Sequence, residues 1–186
     1  MDWSLGAIAS LCAKAARGAG RPWGLAEEAG WAVRWLSSCG VPGAEICATW
    51  LGNQKGLCAV SRGLETRDRG AGALPAEIDH IAAPGLLLPF IAWTLRPDQT
   101  VSITMGDAKI ALSCDGMSLD GRLPDASAVH VADGCSMSPS PRAAWRVETV
   151  APAALAALQS LAARTYAPAS EQSRLLGAGA GLTDND

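Results

Sequence analysis

The stretch TVSITMGDAKIALSCDGMSLDGRLPDASAVHVA, residues 100–132, decides the fold of this chain. Its strand candidates, which are rich in β-branched residues, are Thr100–Met105, Lys109–Cys114 and Ala128–Ala132. They are punctuated by the turn-forming pairs Gly106-Asp107, Asp115-Gly116 and Asp133-Gly134. Short strands separated by such pairs form hairpins. The stretch therefore predicts an antiparallel sheet.

The segments on either side extend this sheet-rich part of the chain to residues 86–150. It begins with a continuous apolar run, Leu86–Leu95, and ends with a fourth strand candidate, Trp145–Val150. Pro152 then opens a helix over residues 152–164, because its fixed φ suits the first turn of a helix.

The first third of the chain has helical periodicity. Ser4 can cap a first helix, Trp23–Cys39 is a second helix, and Pro42 opens a third. We further predict an exposed loop at Arg62–Gly72 and a short helix at Ala76–Ala83.

Helices first, strands next and one helix last are typical of an α+β fold, with the helices packed on a mostly antiparallel sheet. We expect a single domain over residues 1–164, helical in 1–52, sheet-rich in 86–150 and helical again in 152–164. Residues 165–186 form a C-terminal tail that we predict to dock on this domain.

Composition limits the classes of function. The net charge of −3 and scattered basic residues do not favour nucleic acid as a partner. The longest apolar run is about half the length that a membrane span needs, and the N-terminus lacks a basic segment before its apolar stretch. The six cysteines show no C-x-x-C spacing. We therefore expect a cytoplasmic protein with no membrane partner.

The second predicted helix carries the most informative side chains. Its core face holds apolar residues, whereas Glu27 and Arg34 fall on the opposite, polar face. Trp31 and Trp35 lie one turn apart beside that polar stripe. Tryptophan is enriched at interaction hot spots. We predict Trp31 and Trp35 as interface residues of a homodimer, with packing inside the chain as the alternative.

Two segments carry a resemblance to a known family. The N-terminal segment CAKAARGAGRPWGLAEEAG, residues 12–30, is followed by Val33–Leu36. The C-terminal segment runs from Arg164 through Glu171, Ser173 and Arg174 to GAGAGLTDND, residues 177–186. Both resemble a bacterial family catalogued only as a domain of unknown function. The resemblance implies no activity.

The tail allows several interpretations. Its alternating glycines could form an anion-binding nest, its aspartates could ligate Mg²⁺ or Ca²⁺, or it could be a flexible polar end. It could also cross to a partner subunit, or fold back and complete a pocket. In that case the ligand-binding residues would be Glu27, Arg34, Tyr166, Glu171, Arg174, Gly177, Gly179, Gly181, Asp184 and Asp186.

Other chemistry has little support in the sequence. His80 and His130, with Asp79 and Asp133, could hold a metal only if their segments converge. No nucleophile motif occurs, and we predict neither a cofactor nor a metal. We expect a small-molecule-binding protein or an accessory to a metabolic pathway. An enzyme of unknown class and a purely structural interaction protein are the alternatives.

Overall fold

A computed structural model describes residues 3–53, 58–70, 74–147 and 149–166 of the chain. Its helices are α1 (Leu5–Gly18), α2 (Trp23–Ser38), α3 (Gly43–Gly52), α4 (Ala59–Arg69), a 3₁₀ helix (Pro84–Leu87), α5 (Leu88–Thr94) and α6 (Pro152–Ala163). Its strands are β1 (Trp3–Ser4), β2 (Glu77–Ala82), β3 (Val101–Met105), β4 (Ala108–Ser113), β5 (Gly116–Asp120), β6 (Ala126–Asp133) and β7 (Arg146–Val147). This is the α+β fold that the sequence predicts.

The main sheet has five strands in the order β2-β6-β3-β4-β5, and every neighbouring pair is antiparallel. The β3–β4 hairpin turns at Gly106, whose φ of +57° is in the left-handed region that glycine adopts without strain. The antiparallel sheet predicted from residues 100–132 is therefore confirmed. A separate antiparallel pair, β1 and β7, joins residues 3–4 to residues 146–147.

The helices α1, α2, α3 and α6 begin where their sequences predict, and they pack on one another. Ser4 caps α1, because its Oγ accepts a hydrogen bond from the Ala7 amide at 3.1 Å. Helices α1 and α2 approach closely at Gly30, where an added Cβ would lie 2.8 Å from the Ala9 carbonyl oxygen. Helix α6 packs on α1 and α3.

The segment 84–94 is helical, so the prediction that the sheet-rich part begins at Leu86 is wrong. The 3₁₀ helix and α5 occupy it, with Leu86, Phe90 and Ile91 fully buried. Other helices contact one side of this segment, and strands β4 and β6 contact the other side. Its apolar residues therefore face all directions, and its hydrophobic pattern has no period. Pro89 is tolerated because it lies in the first turn of α5.

The short helix predicted at Ala76–Ala83 is also wrong, because residues 77–82 form the edge strand β2. Ile78 and Ile81 are three residues apart, which is a helical spacing. In a regular strand this spacing would place them on opposite faces, yet both are buried. A register shift between them, typical of a β-bulge, returns Ile81 to the buried face.

The exposed loop predicted at Arg62–Gly72 is wrong as well, because α4 extends to Arg69. The buried face of α4 includes Gly63 and Thr66, four and seven residues after Ala59. A Cβ on Gly63 would overlap the Phe90 ring, so this glycine serves close packing of α4 on α5.

Two further details of the strands differ from expectation. The predicted strand Trp145–Val150 is reduced to Arg146–Val147, which pairs with β1. The sequence analysis also missed β5, which follows the Cys114-Asp115 turn and forms the edge of the sheet.

Candidate functional site

One face of α2 lines a groove on the surface of the protein. Trp31 is three and four residues before Arg34 and Trp35, and these are four and three residues before Ser38, so all four lie on one side of the helix. The opposite wall is the segment 141–145, and the cavity between them has a volume of about 590 Å³. This side of the helix is therefore one wall of a candidate site.

The segment 134–145 is held against the edge strand β5. The Ser118 hydroxyl donates to the Ser138 carbonyl at 2.8 Å and accepts from the Ser140 amide at 3.0 Å. The Arg142 amide donates to the Asp115 carbonyl at 3.0 Å. These bonds fix the backbone that carries Arg142 and thereby the second wall of the groove.

The same segment also caps the end of α2. The amides of Ala143 and Ala144 both donate to the Ser38 carbonyl, at 3.1 and 3.0 Å. The last carbonyls of a helix carry partial negative charge and need donors. The two amides satisfy the Ser38 carbonyl, so this carbonyl has little capacity left to attract a cation.

Indole rings form much of the groove surface. Trp35 is only 5% exposed and Trp31 is half-buried, whereas Trp145 is 86% exposed. The Trp31 ring lies 5.3 Å from the ring of Phe90 and 5.6 Å from that of Trp93, the latter edge-to-face. Trp31 is thus held rigidly by neighbouring rings.

A smaller cavity adjoins the groove. Its volume is about 220 Å³, and Trp31, Trp35 and Arg142 line it as well as the larger groove. Trp93, which is 64% exposed, and Cys114 complete its wall. The two cavities therefore form one aromatic surface that surrounds Trp31 and Trp35.

Two guanidinium groups face this surface. The Arg142 guanidinium lies 5.9 Å from the centre of the Trp35 ring, and its Nε donates to the Asp115 carbonyl at 3.2 Å. Arg34 is exposed. Within the described part of the chain, no ion pair includes Arg34, Arg142 or Asp115. With the single Asp115 carboxylate at the groove, the local charge is one unit positive.

The charge of Arg142 also reaches Cys39 at the end of α2. Burial raises the pKa of the Cys39 thiol to about 11, while the positive charge of Arg142 acts in the opposite direction. The thiol therefore stays protonated at neutral pH, which argues against Cys39 as a nucleophile.

The remaining predicted site residues have other surroundings. Glu27 accepts a hydrogen bond from the Trp23 indole at 2.8 Å, and the Tyr166 ring lies 5.7 Å from Lys14 Nζ. Neither Glu27 nor Tyr166 lines the groove, so among the predicted ligand-binding residues that the structure describes, only Arg34 joins Trp31 and Trp35 there. The following lie outside the described residues: Glu171, Arg174, Gly177, Gly179, Gly181, Asp184 and Asp186.

The histidines do not gather with other metal ligands. Strands β2 and β6 are neighbours, and Nδ1 of His130 lies 3.9 Å from Oε1 of Glu77. His80 is exposed, in the irregular part of β2. Across residues 3–53, 58–70, 74–147 and 149–166, no group of three or more metal-ligating side chains is found.

Part of the chain, including the α2 wall of the groove, is similar to a known family. Residues 3–80 match the family model described as Protein of unknown function (DUF3726). This match confirms the resemblance of the N-terminal segment; the C-terminal segment lies beyond it. No curated protein and no solved structure matches the chain.

The DUF3726 match contains α1 and α2, and with them Trp31, Arg34 and Trp35. The opposite wall, with Arg142 and Trp145, follows the matched residues. Sequence analysis missed Arg142 and Trp145 because their segment is a proline-rich, polar stretch without period. Its only local signal was an arginine and a tryptophan close together.

Proposed function

We propose that this protein binds a small organic molecule in the groove between α2 and the segment 141–145. The observation that carries the proposal is a cavity of about 590 Å³ with indole walls and a few polar side chains. Small-molecule sites have volumes of roughly 300–1,000 Å³ and this mixture of apolar walls with few polar groups.

The construction of the groove supports the proposal. Three hydrogen bonds from residues 142–144 hold the second wall in place without a ligand. The Trp31 ring contacts the rings of Phe90 and Trp93, and these contacts fix its orientation before a ligand binds. A preformed site loses little entropy on binding.

The test uses two exposed tryptophans, of which one lines the groove and the other lies outside it. Trp145, in the groove, and Trp23, on the far end of α2, are both exposed, so neither Trp145→Ser nor Trp23→Ser should impair folding. Circular dichroism checks this. The probes are 2-naphthamide and 2-naphthoate, titrated by ligand-observed NMR.

We expect Trp145→Ser to weaken the binding of at least one probe about threefold or more, because ring contacts contribute ~0.5–1.5 kcal/mol. Trp23→Ser should leave binding unchanged. If neither probe binds at millimolar concentration, or if both variants bind like the wild type, the groove is not the site.

A role in the cytoplasm, as a binding protein or an accessory to a metabolic pathway, is part of this proposal. All six cysteines are free thiols, which is typical of a reducing compartment. Among the described residues, no helix is both long enough and apolar enough to cross a bilayer.

Self-association is a second candidate function, favoured by the exposure of Trp93 and Trp145 on one surface. Large exposed indoles are common at protein interfaces. Sedimentation of the wild type and of Trp93→Ser tests it: a wild-type dimer weakened by the substitution supports a homodimer, and a wild-type monomer at high concentration excludes it.

We also propose that the tail, residues 165–186, docks on the domain near the groove. The contact of Tyr166 with Lys14 on α1, a helix that packs on α2, supports docking on the domain. The test compares ligand-induced thermal shifts with and without residues 177–186. A smaller shift in the truncated protein supports docking at the site, and equal shifts contradict it.

A further inference from the structure

We infer that the ligand of the groove is an organic anion, with a carboxylate held by Arg34 and Arg142 and an apolar ring against the indoles. This inference rests on the proposed function and adds the chemical class of the ligand. It follows from the charges of the groove and from the hydrogen bonds that Arg142 already makes.

The groove is locally positive in a protein that is negative as a whole. The charged side chains that line the groove are Arg34, Arg142 and Asp115, which gives a local charge of one unit positive. The whole chain carries a net charge of −3. Neither arginine makes an ion pair within the described residues. A pair of unneutralised guanidinium groups in an aromatic groove favours an anion over a cation or a neutral ligand.

The hydrogen bonds of Arg142 leave the end of its guanidinium available. Its Nε donates to the Asp115 carbonyl, and within the described residues no hydrogen bond involves its two terminal nitrogens. The backbone amide of Arg142 binds the same carbonyl, which orients the side chain. Guanidinium groups bind carboxylates through pairs of parallel N–H donors.

Each arginine has an indole beside it. Arg142 lies over Trp35, at 5.9 Å from the ring centre, and Arg34 follows Trp31 by three residues on the same helical stripe. A carboxylate attached directly to a flat ring could meet both arginines while the ring lies along the indoles. The matching ligand is therefore an aromatic or similarly flat carboxylic acid.

A cationic ligand has weaker support. The indole faces could attract a cation, but Arg142 already occupies the neighbourhood of the Trp35 face. The carbonyl of Ser38, the acceptor nearest to a cation at the end of α2, is bound by two amides. Only Asp115 remains to balance a positive charge, against two repelling guanidinium groups.

The experiment compares three probes that share one ring system: 2-naphthoate, 2-naphthamide and 2-naphthylmethylamine. Affinities are measured by isothermal titration at 25 and 500 mM NaCl for the wild type, Arg34→Gln, Arg142→Gln and Arg122→Gln. Arg122 is the matched control, because it is exposed like the other two but lines a separate cavity beside α3.

We expect 2-naphthoate to bind the wild type at least about fivefold more tightly than 2-naphthamide at low salt, with the amine weakest. Arg34→Gln and Arg142→Gln should each remove most of this preference, and Arg122→Gln should leave it unchanged. High salt should reduce the preference in the wild type, a readout that needs no variant.

Equal affinity for the acid and the amide overturns this inference but leaves the proposed function standing, provided that Trp145→Ser weakens both. Preference for the amine, or a preference for the acid that survives in both groove variants, also overturns it. Binding of no probe overturns the inference together with the proposed function.

Discussion

The guanidinium of Arg142 lies 5.9 Å from the centre of the Trp35 ring and joins the segment 134–145 to α2. The two residues are far apart in sequence, yet the backbone bonds from Arg142 to Asp115 and from Ala143 to Ser38 bring them together. These backbone bonds hold the two walls of the groove against each other. The positive charge of Arg142 also acts on Cys39, the residue that follows α2.

We predict that Arg142→Gln lowers the reactivity of Cys39. The charge of Arg142 stabilises the Cys39 thiolate, so removing it raises the pKa of this thiol further above its ordinary range. Alkylation of Cys39 by iodoacetamide at pH 9.5, followed by peptide mass spectrometry, should become slower. Arg122→Gln serves as the control, and an unchanged rate in Arg142→Gln contradicts the prediction.

The buried thiols should make the folded protein less stable in alkali. Burial raises the pKa of Cys39 from 9.0 to about 11, and the pKa of Cys12 is raised by its hydrogen bond to Cys47 and by burial. The folded state keeps these protons to higher pH than the unfolded chain, so stability falls as pH rises from about 9 toward 11.

Cys39→Ala should therefore lose less stability than the wild type between pH 8 and pH 10.5, measured by urea unfolding. Cys12 contributes to the fall that remains in Cys39→Ala. If the two proteins lose the same amount, burial of the Cys39 thiol does not contribute to the pH dependence.

The packing of α6 on α1 depends on Gly18. A Cβ at this position would overlap the carbonyl oxygen of Leu161, which is backbone and cannot rotate away. We predict that Gly18→Ala lowers the free energy of unfolding by about 1–3 kcal/mol. Gly24→Ala is the matched control, since nothing lies within 4 Å of its added Cβ.

Gly24→Ala should leave the free energy of unfolding unchanged or raise it by up to ~1 kcal/mol, because alanine favours a helix more than glycine does. Denaturant unfolding of both variants checks the pair. Equal stability of Gly18→Ala and Gly24→Ala would mean that α6 does not pack on α1 as described.

Ala83 has a backbone conformation that suits glycine. Its φ of 52° and ψ of 53° are left-handed, just before the 3₁₀ helix. We predict that Ala83→Gly raises the free energy of unfolding by up to about 1 kcal/mol, because relief of the strain outweighs the added entropy of the unfolded chain. Thermal unfolding by calorimetry provides the measurement.

The opposite effect is expected at an ordinary helical alanine. Ala157→Gly, on the exposed face of α6, should lower the free energy of unfolding by about 1 kcal/mol. A loss of stability in both variants would contradict the left-handed conformation at Ala83.

Local sequence patterns predicted the elements whose apolar residues repeat with one clear period. The face of α2 and the strands around Gly106 belong to this class, as does the cap at Ser4. The patterns failed where tertiary contacts decide: residues 86–92 are all buried and have no period, and Gly63 indicates a loop although it serves contact with Phe90.

The same distinction holds for the candidate site. Trp31, Arg34 and Trp35 could be found because they share a helical stripe. Arg142 and Trp145 could not, since they reach the site through backbone hydrogen bonds between segments that are distant in sequence. Hydrogen bonds between distant segments leave no periodic pattern in the sequence.

Indole NMR signals of the ¹⁵N-labelled protein test the central claim, binding in the groove, most directly. The seven tryptophans give seven indole N–H signals, which single Trp→Phe variants assign. On titration with 2-naphthoate, we predict saturating shifts for Trp31, Trp35 and Trp145 and none for Trp23 or Trp50. Shifts confined to Trp23 and Trp50, or no shift at all, would contradict binding in this groove.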